Sequence, residues 1–338
     1  MNRKGAVAIL ILSLIFAGCG VNNTSQSSSN TPDKKSKVVI GYIPTWVDMR
    51  KSIDETDLGI LTHINLSFFN PDANGAFLSA DEPLCSDGLT SDILYVVEKA
   101  HQNGVKVLAS VGGGVLPECS GDWELLLKEP SRPIVVKNIL SLIDFYNLDG
   151  IDIDIEGGLL NTIAEAGDYT PFIHNLHLAL NPKGKLVTCA TASYIGGRIP
   201  TSSFPYFDYI NVMAYDNYWN TPAHHSTYED AVRDMELWLS LGCPAEKLVL
   251  GLPFYGYENS VGSGGISYKE IVAINRLNAD IDEFENYKYN GIATIEAKTA
   301  FAVKHGAGVM IWEISQDAAG KQSLLQAIGR HLEFSNRQ

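Results

Sequence analysis

Four acids stand close together in the segment Asp149-Gly150-Ile151-Asp152-Ile153-Asp154-Ile155-Glu156. Side chains alternate faces along a β-strand, so Asp152, Asp154 and Glu156 share one face and Ile151, Ile153 and Ile155 the other. The isoleucine face requires burial, which argues against an exposed edge strand with its acids in solvent. Carboxylates crowded on one buried face are costly unless they share protons or hydrogen bonds, and repulsion with desolvation raises the pKa of at least one. An acid that stays protonated near neutral pH can donate to a poor leaving group, and a glycosidic oxygen is such a group. Mg²⁺ or Ca²⁺ would need a compact loop of oxygen ligands, which this stretch lacks, so no metal is expected.

The elements that must hold this strand follow from periodicity. Short apolar runs occur at 38–44, 63–69, 105–111, 150–156, 186–192, 206–215, 248–254 and 308–314. Amphipathic helical patterns lie between and after them, at 91–102, 133–145, 169–180, 228–241, 294–304 and 322–334. Such alternation implies a parallel sheet with helical crossovers, and eight strands suggest a closed (β/α)8 TIM barrel. In a barrel the isoleucines face the helices, and the acids line the axis with Glu156 nearest the catalytic end. The fifth and sixth runs lie too close for a long crossover helix, and the stretch 256–307 reads as a short insertion after the seventh strand. An open doubly wound sheet fits the alternation too, but no GxGxxG follows the first run.

Of 338 residues, 45% are hydrophobic and 19% charged, a globular composition. The formal charge of −14 argues against a nucleic-acid partner, which needs clustered cations. Arg3 and Lys4 precede the apolar stretch 6–17, too short to span a bilayer and matching a secretory leader. Phe16-Ala17-Gly18-Cys19 resembles a bacterial lipobox. That resemblance implies removal of residues 1–18, lipidation of Cys19 and an extracytoplasmic, membrane-anchored protein. Residues 19–37 read as a flexible polar tether, and 38–338 as the barrel. Export makes disulfides possible. Cys85 and Cys119 fall in polar loops after neighbouring strands and form a candidate pair, while Cys189 reads as a buried free thiol that Cys243 is not expected to reach.

The acidic segment resembles the DxxDxDxE motif of glycoside hydrolase family 18, the chitinase family. Further matches run in order along the chain: Gly41-Tyr42-Ile43-Pro44 with Trp46, Ser110-Val111-Gly112-Gly113, Met213-Ala214-Tyr215-Asp216, Gly251-Leu252-Pro253-Phe254-Tyr255-Gly256, and Gly308-Val309-Met310-Ile311-Trp312-Glu313. The resemblance implies a retaining glycosidase acting beside N-acetylglucosamine in chitin or chito-oligosaccharides, assisted by the sugar's own acetamido group. Glu156 would be the acid and base, Asp154 the orienting carboxylate, Asp152 its deeper partner, and Tyr215 a donor to the acetamido carbonyl. Trp312 would floor the sugar, and Asp216, Tyr42, Met213, Tyr255, Trp46 and Trp219 would complete the substrate site. Ser110, Gly112 and Gly113 are read as packing residues, Asp149 as structural, Trp238 as core, and His224 and His225 as solvated loop residues. Ile155 and Gly157 replace aromatic residues of many larger chitinases, and Asp-Ile-Glu-Gly-Gly is closer to the small plant-type members. The short insertion argues against a deep tunnel. No cofactor is expected, and the chain is expected to act as a monomer. Alternatives are an endo-β-N-acetylglucosaminidase on N-glycans, and a glycan-binding lipoprotein without catalysis.

Overall fold

The computed structural model describes residues 37–335; the leader, Cys19 and the tether up to residue 36 lie outside the described residues. Eight strands form a closed barrel: β1 (Val38–Pro44), β2 (His63–Phe69), β3 (Lys106–Gly113), β4 (Gly150–Ile155), β5 (Leu186–Thr191), β6 (Tyr209–Val212), β7 (Leu248–Pro253) and β8 (Gly308–Trp312). All neighbouring pairs are parallel, and β8 closes on β1 with Gly308 opposite Val38. Around them run α1 (Met49–Glu55), α2 (Thr90–Gln102), α3 (Arg132–Tyr146), α4 (Gly157–Glu165), α5 (Tyr169–Leu180), α6 (Tyr228–Ser240), α7 (Ile292–His305) and α8 (Leu324–Ser335). This is the (β/α)8 barrel that the alternation of apolar runs implies.

The sequence reading misses α1 and α4 for physical reasons. At seven residues α1 is too short to show a period, although Asp48 caps it by accepting from the Lys51 N–H at 3.0 Å. The start of α4 is hidden by Gly157-Gly158, residues of low helix propensity, yet Leu160 and Ile163 anchor it in the core. The sixth strand is shorter than the expected 206–215. A 3₁₀ turn at Thr201–Tyr206, with Pro205 inside it, replaces both its first residue and the missing crossover helix. After Val212 the chain leaves the sheet, and Asp216 adopts a left-handed φ of 57°. The insertion holds a four-stranded antiparallel sheet, ordered Gly265–Ser267, Tyr255–Glu258, Tyr287–Lys288, Glu283–Phe284.

Ile151, Ile153 and Ile155 are buried in the layer between barrel and helices. Each such burial contributes about 1.5–3 kcal/mol, which holds β4 in register. Asp149 braces the lower end of the strand: its Oδ2 accepts from the Val107 N–H and lies against His101 Nε2, both at 2.8 Å. The barrel interior is divided. Val38, Ile40, Val249 and Met310 make the β1, β8 and β7 side apolar, whereas Asn65, Ser110, Asp152, Thr188 and Asn211 make the β2–β6 side polar. Cys85 and Cys119 are joined by a disulfide with a Cα–Cα distance of 5.8 Å, tying the loops after β2 and β3. Cys189 and Cys243 are buried and free, as expected. Trp238 is buried on α6 and its indole N–H donates to Ser193 Oγ at 3.1 Å.

Candidate active site

The three acids on the inner face of β4 meet three different environments. Asp152 is fully buried and accepts from four donors: Tyr42 at 2.6 Å and Ser110 at 2.7 Å on Oδ2, Thr188 at 2.5 Å and Asn211 at 3.4 Å on Oδ1. Burial pushes its pKa up and the four donors pull against that rise. Ser110, read from the sequence as a packing residue, is thus one of these donors. The reason is register: Ser110 and Thr188 sit opposite Asp152 on the two flanking strands.

Asp154, one layer higher, is 3% exposed, and its Oδ1 is buried without a hydrogen-bond partner. Desolvation, then the charges of Glu156 and Asp152, push it well above the usual carboxylate range. The β3 backbone passes close by at Gly112, whose φ is +102°. A Cβ there would stand 2.5 Å from the Asp154 carbonyl oxygen. Glu156 follows the last residue of β4, extended at φ −119° and ψ 163°, just before α4 begins. Its carboxyl is half-buried and faces Gly114, where a Cβ would come within 3.2 Å of Oε1. Desolvation, then the charge of Asp216, raise its pKa to about 7. The strand therefore ends in an acid that holds a proton near neutrality, above an unsatisfied buried carboxyl.

The segment after β6 supplies the opposite wall. Tyr215 is buried, and its hydroxyl meets Met310 Sδ at 3.8 Å. Desolvation and the surrounding acids push that phenol far up, so it stays a donor. Asp216 accepts from Tyr255 at 2.6 Å and lies 3.3 Å from His225 Nδ1. Contrary to the sequence reading, His225 is not solvated. It is 1% exposed, enclosed by His224, Tyr255 and Tyr257, because the insertion folds over this loop. Among the described residues no group of three or more His, Cys, Asp or Glu is arranged to hold a metal.

Glu156, Met213, Tyr215, Asp216 and Trp219 line one cleft of about 460 Å³ at the C-terminal end of the barrel. Trp219 is 61% exposed on its rim. Tyr194, which the sequence reading leaves out, lies in the same cleft and within range of the Glu156 charge. Trp312 belongs to an aromatic cluster beside it: Phe68 stacks on Trp312 at 5.8 Å and 22°, with Tyr42 at 5.4 Å and Trp46 at 6.5 Å. Trp46 and Phe68 also wall a hollow of about 270 Å³ bordered by the Cys85–Cys119 disulfide. Tyr42 and Tyr255, expected among the substrate contacts, are buried with their hydroxyls turned onto Asp152 and Asp216. Each therefore meets the acid network directly. Phe68, Thr188, Asn211 and His225 have no motif of their own. Inward parity in a strand could have nominated Thr188 and Asn211, but nothing in the sequence selects Phe68 or His225.

Comparison with known proteins gives a consistent result. Residues 38–317 match the family model described as glycosyl hydrolases family 18. The chain is similar to the solved GH18 chitinase from the chitin utilization locus of Flavobacterium johnsoniae, with 32% identity and a TM-score of 0.78 over 88% of this chain and 94% of that one. It is also similar to a chitinase of Bacteroides thetaiotaomicron, with 31% identity and a TM-score of 0.77 over 90% and 98% of the two chains. Among curated proteins it is 26% identical over 262 residues to Probable chitinase 10 of Drosophila melanogaster. That match takes in 67% of this chain but only 11% of the length of the fly protein.

Proposed function

Because the chain belongs to glycosyl hydrolases family 18, we propose that it hydrolyses β-1,4 bonds beside N-acetylglucosamine in chitin or chito-oligosaccharides, with retention and with the substrate's acetamido group as nucleophile. The observation that carries this is the pairing of Glu156, protonated up to about pH 7 at the cleft surface, with the bare Asp154 directly beneath it. Glu156 gives its proton to the glycosidic oxygen as the acetamido oxygen attacks the anomeric carbon. The C–O bond breaks, the leaving sugar keeps the proton, and an oxazolinium forms. In its ionised form, which the developing positive charge favours over the burial that raises its pKa, Asp154 accepts the acetamido N–H and balances that charge. The carboxylate left on Glu156 then takes a proton from water, which opens the ring with the original anomeric configuration. Tyr215 donates to the acetamido oxygen, and Trp312 with Phe68 offers an apolar floor to the sugar face.

The pH dependence follows from the sign of the Glu156 shift. The acid must be protonated at the start, so kcat/KM should fall as pH rises through about 7; coupling to Asp154 makes that midpoint a property of the pair. The test is parallel product analysis on chitin oligomers, chitin and a high-mannose N-glycopeptide, with the anomer of fresh product read by NMR. β-Anomeric chitin fragments and an alkaline limb near 7 support the reading. Cleavage of the glycopeptide alone, or an α-anomeric product, overturns it.

Separately, we propose that the enzyme lies outside the cytoplasm on a lipid anchor at Cys19, a reading supported by the apolar stretch 6–17 and the Ala17-Gly18-Cys19 junction. A labelled fatty acid should enter the protein in a bacterial host and be lost in Cys19→Ala. Equal labelling of both forms sinks the anchor.

A further inference from the structure

We propose that Lys298 is a positioning residue for Tyr215 and Asp216, acting through Ser226; the proposal rests on the glycosidase reading above. Lys298 lies on α7, outside the barrel, and is fully buried. Its three N–H groups are used by Ser226 O at 2.9 Å, Ser226 Oγ at 2.7 Å and Asn290 Oδ1 at 2.6 Å. Asn290 Nδ2 returns a bond to Ser226 O at 2.7 Å, so the three residues form a closed triangle. None of these acceptors is a carboxylate. Asp282, Asp230, Asp234 and Glu229 act on the ammonium only from farther away, and burial lowers its pKa to about 7. An aliphatic side chain could occupy such a place without the cost of desolvating an amine.

What the triangle holds explains its position. Ser226 Oγ donates to the Ala214 carbonyl at 2.7 Å, immediately before Tyr215. Its neighbour His225 lies against Asp216 Oδ1 at 3.3 Å, and the His225 carbonyl accepts from the Asn217 N–H at 3.0 Å. The sheet cannot hold residues 214–217, because β6 ends at Val212. They are laid instead along 225–226, and 225–226 is pinned from α7. If the pin is removed, the His225 side of the Asp216 carboxylate loosens while Tyr255 still holds its Oδ1 at 2.6 Å, and Asp216 can shift from Glu156. Less repulsion then lets Glu156 lose its proton at lower pH, so the alkaline limb of kcat/KM shifts toward acid.

The test compares Ser226→Ala and Lys298→Met with the parent on chitin oligomers, with Asp216→Asn as the reference for complete loss of that charge. Both variants should lower kcat by about ten- to a hundredfold, the scale of a small misplacement of reacting groups, with little change in KM. Both should move the alkaline limb in the same direction as Asp216→Asn, and the double variant should be no worse than Ser226→Ala alone. If Lys298→Met does not fold, Ser226→Ala decides. Lower melting temperatures with the parental kcat and limb would reduce Lys298 to a packing role and overturn the proposal. A parent that hydrolyses none of the oligomers would overturn the function itself, a separate outcome.

Discussion

Glu156→Gln should lower turnover of chitin oligomers by at least about 10²-fold, the usual scale of general acid catalysis, while oligomer binding persists. The amide cannot donate a proton to the leaving oxygen or take one from water, so both halves of the reaction stall. The alkaline limb should vanish with the group that produces it. Stability gives an independent readout. The folded pKa of Glu156, about 7, lies above its ordinary 4.5, so the folded state binds the proton more tightly than the unfolded chain. The associated loss of stability sets in as pH rises above about 4.5 and is complete above about 7. Gln carries no such penalty, so the variant should melt no lower than the parent above pH 7. Calorimetry on oligomers together with thermal melts checks both parts. Near-parental turnover in a well-folded variant would remove Glu156 from the chemistry and leave a glycan-binding protein as the better account.

Removing the substrate's own nucleophile should have an effect at least as large. A well-placed intramolecular group is equivalent to about 10⁵–10⁸ M of external reactant, so fully deacetylated oligomers of equal length should show no measurable cleavage. A thiazoline mimic of the oxazolinium should inhibit competitively. Asp154→Asn should lower kcat by about 10²–10³-fold, the scale for losing one oriented group at a developing charge, and should weaken the thiazoline. Comparable rates on acetylated and deacetylated oligomers would exclude acetamide participation.

Much of this site is legible in the sequence alone. The alternation from Ile151 to Glu156 puts three acids inside and three isoleucines outside, because strand parity is a local property. The hydrogen-bonding of Asp152 is not local. Its donors come from β1, β3, β5 and β6, so which of many inward hydroxyls reach it depends on the registers of strands far apart in sequence. The aromatic cluster divides in the same way. Trp312 stands in a recognisable motif, whereas Phe68 acquires its role only when β2 and β8 flank β1 in the closed barrel. The burial of His225 likewise depends on the insertion folding back over the loop after β6, a contact between segments with no shared pattern.

The four donors around Asp152 bear on how this chain could change over evolutionary time. Through them one carboxylate joins five of the eight strands, counting its own. Deleting it would leave buried hydroxyls and an amide unpaired, at about 1–3 kcal/mol for each group left unsatisfied. Glu156, at the end of the strand, carries no comparable duty. A descendant released from selection for catalysis would therefore be expected to lose the outermost acid first and keep the innermost. The sequence would then retain most of the acidic signature long after turnover had gone, and the residue at position 156 alone would distinguish an enzyme from a sugar-binding relic.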